Sequence, residues 1–250
     1  MFDVREAVIE HGMQEYPREA VGIVRAGSYV PLENVHDDPA NHFRLDAFPD
    51  GAQAVIHTHT RTDSRLGPLH VSAAPSQSDM QTQQAMGIPW AIQPMQQNGP
   101  AGRLEWFGDT CPTPTLVGRE FLSGSRDCWC LVRDFFRLQW GINLLNLPRD
   151  DDWYRRTEDE FDLLGPYWIK KAGFEPIEFS EARPGDVVLG SIASRRNNHT
   201  GLLCSRGLVL HQIEGRRSCL EPINPWQRYI HSVVRHKDAG EWDGECLPEA

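Results

Sequence analysis

The sequence predicts an α+β protein built from two domains. Its 250 residues are enough for two domains of ordinary size, and a hydrophobic fraction of 40% with eight tryptophans can fill two cores. Segments with strand-like and helix-like patterns follow one another in both halves of the chain. Between the halves, residues 110–115 hold two prolines in a short polar stretch, which favours an extended connector. We therefore predict domains at residues 1–109 and 116–240, a linker at 110–115 and an acidic tail at 241–250.

The composition excludes several classes of protein. A net charge of −10 argues against a protein that binds nucleic acid or an anionic membrane surface, because both need a basic footprint. The start of the chain has no basic segment followed by an apolar core, so we expect no signal peptide, and no apolar run is long enough for a membrane span. The six cysteines are scattered without paired spacing, which favours free thiols in a reducing cytoplasm.

The first half is predicted to contain two helices and five strands. The first helix places its apolar residues on one face, and the second begins at the N-cap residue Ser76 and ends at Gly87. A loop rich in Ser, Pro, Gly and Arg spans residues 60–75. The predicted helices are 4–14 and 76–86, and the predicted strands are 20–24, 28–32, 52–57, 88–92 and 104–107.

Two histidines close the third of these strands. Residues two apart on a strand point the same way, so His57 and His59 can reach one metal ion, and Asp79 in the next helix can supply an oxygen ligand. Two histidines and one carboxylate leave a position open for water, as in catalytic zinc sites. Glu19, just before the first strand, is the candidate general base. The other interpretation is that the histidines are satisfied by protein neighbours alone.

The order of these residues resembles the JAMM metallopeptidase family. A glutamate before a strand, then His-x-His, then Ser-x-x-Asp is the pattern of these zinc isopeptidases, which have an α/β fold. The resemblance implies that His57, His59 and Asp79 bind zinc and that Glu19 acts as the base. It also implies that Ser76 stabilises the reacting carbonyl. A retained fold with an idle site is the alternative.

The second half is predicted to begin near residue 116 and to contain a helix that starts at Cys128 and ends at about residue 140. Asp127 or Ser125 can cap this helix, and the positive end of the helix dipole favours the thiolate, which is the nucleophilic form of cysteine. An aromatic and acidic segment follows at 148–153. The remaining predicted elements are a helix at 158–172 and strands at 186–189, 200–204 and 208–213.

Two histidines lie in the strand-rich region that follows. Residues 205–207 are predicted to form a short hairpin turn. If that turn has three residues, His211 lies opposite Gly201 and on the same face as His199, so the two rings come within side-chain reach. A change of one residue in the turn would send one histidine to the other face.

These residues, in this order, resemble the NlpC family of papain-like cysteine peptidases. Asp-Cys at a helix start, His-x-Gly at a strand start and Pro-Gly-Asp before a strand (Pro184 to Asp186) are shared. The resemblance implies that Cys128 is the nucleophile, His199 the general base and acid, and His211 the group that orients it. The backbone N–H of Cys128 is the expected oxyanion donor.

The two halves together resemble the protein K family of lambda-type phage tail assembly proteins. Further shared motifs include Gly118-Arg119-Glu120-Phe121, Pro148-Arg149-Asp150 and His211-Gln212-Ile213-Glu214-Gly215. The resemblance implies an assembly protein of the tail tip that combines a cysteine endopeptidase for peptidoglycan stem peptides with a zinc-dependent protease or isopeptidase. Its implied partners are other tail-tip proteins and bacterial peptidoglycan. Its implied location is the host cytoplasm during assembly, with the virion tail tip as a second location.

Two other function classes stay open from the sequence. Both domains can be structural components of the tail tip with idle catalytic sites. A bacterial enzyme that remodels the cell wall is less favoured, because no export signal is expected.

Overall fold

We analysed a computed structural model of the protein, which describes residues 1–62, 70–150, 152–155 and 162–245. The chain divides into two compact units, Met1–Pro112 and Thr113–Ala250. The boundary lies inside the predicted linker at residues 110–115. Within the described ranges, no helix is both long and apolar enough to cross a membrane.

The described part of the first unit forms a six-stranded sheet with two helices. Its strand order is β2-β1-β3-β4-β5, and β6 also pairs with β4. Strands β3 and β4 run parallel, because helix α2 lies between them in the chain, and the other pairs are antiparallel. The elements are α1 Arg5–Glu15, β1 Val21–Arg25, β2 Ser28–Leu32, β3 Ala54–His59, α2 Gln77–Met86, β4 Trp90–Gln96, β5 Gly99–Pro100 and β6 Glu105–Phe107.

Strand β3 positions the histidines of the first unit. Its residues from Ala54 to Thr58 are buried, because β1 and β4 flank it on both sides. Helix α2 starts at Ser76, whose hydroxyl accepts from the backbone N–H of Asp79, and it ends at Gly87, whose φ of 66° suits glycine. The sheet therefore fixes His57 and His59, and the capping box fixes Asp79.

The second unit is a six-stranded antiparallel sheet with one long helix. The strand order is β11-β10-β9-β8-β12-β7. The elements are α3 Cys128–Trp140, α4 Pro166–Lys171, β7 Phe174–Ile177, β8 Val187–Gly190, β9 His199–Leu203, β10 Leu208–His211, β11 Cys219–Pro222 and β12 Ile230–His236, with short 3-10 helices at Trp153–Arg155, Phe179–Glu181, Ser205–Gly207 and Asn224–Tyr229.

Helix α3 packs against the sheet through an apolar stripe. Leu131, Val132, Phe135 and Phe136 are each at most 1% exposed and share a core cluster with residues of five strands. Burying each of these side chains stabilises the fold by about 1.5–3 kcal/mol. This packing fixes the N-terminal end of α3, where Cys128 lies.

The structure differs from the sequence prediction in several elements. Strands β5, β7, β11 and β12 were not predicted, and the predicted strand 208–213 ends at His211. The predicted helix 158–172 is shorter, since helix α4 covers Pro166–Lys171 and residues 158–161 lie outside the described residues. Residue 151 of the aromatic and acidic segment and residues 246–250 of the predicted tail also lie outside them.

Candidate functional site

The thiol of Cys128 lies at the first position of helix α3. Asp127 is the N-cap, and its carboxylate accepts from the backbone N–H of Cys130 at 2.9 Å and of Gly124 at 2.9 Å. The alternative cap, Ser125, does not hold that position. The backbone N–H of Cys128 is one of the donors that helix geometry leaves without an intrahelical acceptor, so it can receive a developing oxyanion.

A buried ion pair anchors this helix end. Arg149 is 1% exposed and donates to the Asp127 carboxylate at 2.6 Å. It also donates to Asn146 at 3.0 Å and to the carbonyl of Leu147 at 2.7 Å. Burial raises the pKa of Asp127, but the Arg149 guanidinium and the hydrogen bonds from Cys130 and Gly124 together outweigh that effect and keep the pKa below its usual range. The cap of α3 therefore stays ionised.

A second buried arginine joins α3 to the histidine strand. Arg119 donates to Asp134 of α3 at 2.7 Å and to Gln212, the residue after His211, at 2.9 Å. Gln212 donates back to the Arg119 carbonyl at 3.1 Å. The three sequence motifs that surround Arg119, Arg149 and Gln212 therefore supply anchors that hold the thiol helix and the end of β10.

His199 and His211 form a hydrogen-bonded pair on neighbouring strands. The turn Ser205–Gly207 has three residues, and His211 lies opposite Gly201, which is the predicted register. Nε2 of His199 lies 3.1 Å from Nδ1 of His211. On the other side, the backbone N–H of Thr200, next to His199, lies close enough to the Cys128 sulfur to oppose the rise of its pKa. The structure thus brings the thiol beside the strand that starts with His199.

Two further residues enclose the histidine pair, and the sequence analysis did not identify them. The Trp226 ring lies 4.5 Å from the His211 ring and 5.7 Å from the His199 ring, measured between centroids. Nε2 of His211 lies 3.2 Å from Oε2 of Glu221 on β11. Local sequence patterns do not reveal either residue, because the pairing of β10 with β11 joins segments that are separate in the sequence.

The surroundings keep both reacting groups neutral. Burial raises the pKa of Cys128 to about 12, the nearby Asp127 carboxylate adds to the rise, and the Thr200 N–H opposes it. Burial lowers the pKa of His199 to about 3, with His211 as the second cause. A neutral thiol beside a neutral imidazole can act by general base catalysis, in which the proton moves as the sulfur attacks.

The predicted metal ligands also come together, in the first unit. Nε2 of His57 lies 3.2 Å from Nε2 of His59 and 3.6 Å from Oδ1 of Asp79. Nε2 of His59 lies 3.8 Å from Oδ2 of Asp79. One donor atom from each residue falls within 4.8 Å of the other two.

The hydrogen bonds around this cluster fit a metal ion. Nδ1 of His59 lies 2.9 Å from the Ser72 carbonyl, which can only accept, so Nδ1 carries the proton and Nε2 of the neutral ring presents a lone pair. This lone pair lies close to the ring of His57 and to the Asp79 carboxylate. Three electron-pair donors that converge in this way are stable only around a proton or a cation. Nδ1 of His57 is buried and has no hydrogen-bond partner among the described residues, so the opposite nitrogen carries the polar contacts that the structure describes for that ring.

The charges in this cluster also allow an interpretation without metal. Burial lowers the pKa of His59, but Asp79 and Glu19 outweigh it and raise it to about 9, while burial lowers the pKa of His57 to about 4. Burial raises the pKa of Asp79, yet His57 and His59 hold it well below its usual range. A protonated His59 paired with Asp79 is therefore the competing state for the same three side chains.

Glu19 and Ser76 lie at the same cavity. This cavity has a volume of about 640 Å³, and Glu19, His59, Ser76 and Asp79 line it. Glu19 is 4% exposed, and burial raises its pKa to about 8. The Ser76 hydroxyl donates to Oδ2 of Asp79 at 2.7 Å, so the structure shows it positioning that carboxylate. The predicted contact of Ser76 with a reacting carbonyl stays a prediction.

Comparison with known proteins identifies a family for this chain. The chain is 29% identical over 243 residues to the tail tip assembly protein K of Escherichia phage N15, which covers 93% of this chain and 94% of that protein. It is 36% identical over 126 residues to the tail tip assembly protein K of Escherichia phage lambda, which covers 50% of this chain and 60% of that protein. The crystal structure of an NlpC/P60 family protein from Bacillus cereus aligns with 91% of this chain and 66% of its own, at a TM-score of 0.34 and 9% identity. The profile of the NlpC/P60 family matches residues 108–235, which hold Cys128, His199 and His211, and the chain therefore belongs to the NlpC/P60 family.

Proposed function

We propose that this protein takes part in assembly of a phage tail tip and that its second unit is a cysteine peptidase for stem peptides of bacterial peptidoglycan. The observation that carries the peptidase proposal is the thiol of Cys128 at a capped helix start beside the strand that begins with His199, whose ring is hydrogen-bonded to His211. Membership of the NlpC/P60 family supports it. The assembly role rests on the likeness to the tail tip assembly proteins of phages N15 and lambda.

The geometry supports an acyl-enzyme mechanism. His199 takes the proton of Cys128 while the sulfur attacks the carbonyl carbon of the amide, and the oxygen of the resulting intermediate lies at the N-terminal end of α3. The amine leaves with the proton from His199, and a thioester on Cys128 remains. Water, deprotonated by His199, then hydrolyses the thioester and restores the thiol.

Digestion of purified muropeptides tests the substrate and the nucleophile together. We expect new peptide fragments from the wild-type chain, and an acid-quenched sample digested with a second protease should show the acyl group on the peptide that contains Cys128. Fragments without an adduct on Cys128 would contradict the thiol mechanism. A chain that cleaves no muropeptide would favour the structural alternative, in which the unit is an idle component of the tail tip.

The partners and locations follow from the same likeness. We propose that the chain contacts other tail-tip proteins in the host cytoplasm during assembly and that it is present at the virion tail tip. Its net charge of −10 is consistent with protein partners rather than nucleic acid. Mass spectrometry of purified virions checks the second location.

We also propose that the first unit is a JAMM-like zinc peptidase. The observation that favours it is the convergence of His57, His59 and Asp79, with the second nitrogen of His59 tied to the Ser72 carbonyl. These three side chains would hold the ion, and a bound zinc ion would polarise a water molecule or a carbonyl. Glu19, at the same cavity, accepts a proton, and Ser76 keeps Asp79 in place.

Metal analysis of the purified chain tests the zinc site. We expect about one zinc per chain in the wild type and a loss of most of it in His57→Ala, because two remaining donors bind zinc weakly. The matched control is His11→Ala, since His11 is a partly buried histidine of the same unit whose ring contacts Tyr29 instead. A wild-type chain that takes up no zinc, or equal zinc in all three proteins, would refute the metal site.

A further inference from the structure

We propose that Glu221 is a positioning residue of the thiol site, which sets the tautomers of His211 and His199 and so extends the Cys-His-His set to four residues. The inference rests on the proposed peptidase function of this unit. It assigns a role to a residue of β11, a strand that the sequence analysis did not predict.

The chain of hydrogen bonds has one consistent direction. An ionised carboxylate can only accept, so Nε2 of His211, 3.2 Å from Glu221, carries a proton. In a neutral ring Nδ1 of His211 is then an acceptor, and Nε2 of His199, 3.1 Å away, must donate to it. Nδ1 of His199 is left with its lone pair, which is the form that can take the proton of Cys128. One carboxylate thereby fixes the protonation of two rings.

The surroundings of Glu221 keep it ionised and in place. Arg216 donates to Oε1 of Glu221, and the indole N–H of Trp226 donates to Oε2 at 3.0 Å. Hydrogen bonding by Arg216 is the main reason why the pKa of Glu221 is lowered to about 2. Because Trp226 also lies against both imidazole rings, the same side chain holds the carboxylate and limits ring rotation.

The carboxylate also balances charge during the reaction. When His199 accepts the proton of Cys128, the positive charge is shared along the chain of hydrogen bonds towards Glu221. His211 is 1% exposed, so water cannot supply this stabilisation at that ring. A negative group at the end of the chain therefore favours the protonated pair.

A metal ion explains the same three side chains less well. His211, Cys219 and Glu221 offer donor atoms within 4.8 Å of one another. However, the Arg216 guanidinium contacts Glu221 and lies 3.8 Å from the Cys219 sulfur, so a cation already occupies the position between two of the three donors. The hydrogen-bonded carboxylate is the interpretation that accounts for the contacts of Glu221 with His211, Arg216 and Trp226.

Two substitutions separate the hydrogen bond from the charge. Glu221→Leu removes the acceptor. Glu221→Gln keeps it, because the amide oxygen is favoured at the Oε2 position, where both His211 and Trp226 donate. The matched control is Glu120→Leu, which removes an exposed glutamate that is also paired with an arginine, Arg217.

The first measurement is histidine 15N NMR on the full chain without substrate. In the wild type and in Glu120→Leu we expect His211 protonated at Nε2 and His199 protonated at Nε2. In Glu221→Leu both rings should show mixed tautomers, and in Glu221→Gln the wild-type tautomers should persist. Wild-type tautomers in Glu221→Leu would overturn the inference whether or not the chain hydrolyses any peptide.

The second measurement is the hydrolysis rate. We expect kcat to fall about tenfold to a hundredfold in Glu221→Leu and by a smaller factor in Glu221→Gln, with KM nearly unchanged, because a positioning residue that acts through His211 affects the chemical step. Unchanged kcat in both variants would overturn the positioning role.

If the wild type hydrolyses nothing, the proposed function fails, and the tautomer measurement alone decides the role of Glu221. If the Glu221→Leu protein does not fold, Glu221→Gln remains as the test. An unchanged kcat in Glu221→Gln would contradict the claim that the Glu221 charge favours the protonated histidine pair.

Discussion

Replacing Cys128 with alanine is expected to lower amide-bond hydrolysis by at least about a thousandfold. In the proposed mechanism the Cys128 sulfur is the atom that forms the thioester, and alanine has no nucleophilic atom in its place. Its position depends on the Asp127 cap and on the Thr200 N–H, neither of which needs the thiol for its own structure. The fold should therefore survive, and the loss should lie in kcat.

The measurement compares this variant with Cys204→Ala. Cys204 is a buried cysteine at the far end of β9, 6% exposed, so its replacement also removes a thiol from the second unit. We expect Cys204→Ala to lose some stability through the small cavity and to keep hydrolysis within about threefold of the wild type. Equal rates for Cys128→Ala and the wild type would show that another group is the nucleophile.

The thiol site could be predicted from sequence where local rules decide geometry. Cys128 follows a capping residue and precedes an apolar helical stripe, so its place at a helix start can be inferred from neighbouring residues. The histidine register follows from one turn of three residues, because strand side chains alternate. The same alternation predicts that the side chains of His57 and His59 lie on one face of their strand.

The rest of the site depends on contacts between distant segments. Arg149 meets Asp127 across 22 positions of sequence, and Arg119 meets Gln212 across 93. Glu221 lies on a four-residue strand with no alternating pattern, so neither the strand nor its contact with His211 could be predicted. Sequence motifs marked Arg119 and Arg149, but only the fold shows that they anchor α3.

Replacing Arg149 with methionine is expected to lower the free energy of unfolding by about 3–5 kcal/mol. The reason is the buried Asp127 carboxylate, which would lose the Arg149 guanidinium at 2.6 Å while keeping its own negative charge. Methionine fills much of the space of the arginine stem, so the loss reflects charge more than packing. Chemical denaturation followed by tryptophan fluorescence measures it.

The contrast with an exposed ion pair makes this prediction specific. Arg217→Met removes an arginine whose pair with Glu120 is largely exposed, and we expect a loss of no more than about 1 kcal/mol. Similar losses in the two variants would mean that the Arg149 pair contributes no more than a surface contact.

The double variant Arg149→Met with Asp127→Asn tests the cause. Asparagine still caps the helix but carries no charge, so the double variant should regain part of the stability that Arg149→Met loses.

The same ion pair also affects the thiol, because the Asp127 carboxylate raises the pKa of Cys128 and the Arg149 guanidinium opposes that rise. In Arg149→Met the thiolate is therefore harder to form, and hydrolysis per folded molecule should fall as well. Because the double variant removes both charges, its hydrolysis should recover together with its stability, whereas a packing defect at Arg149 would leave both losses in place.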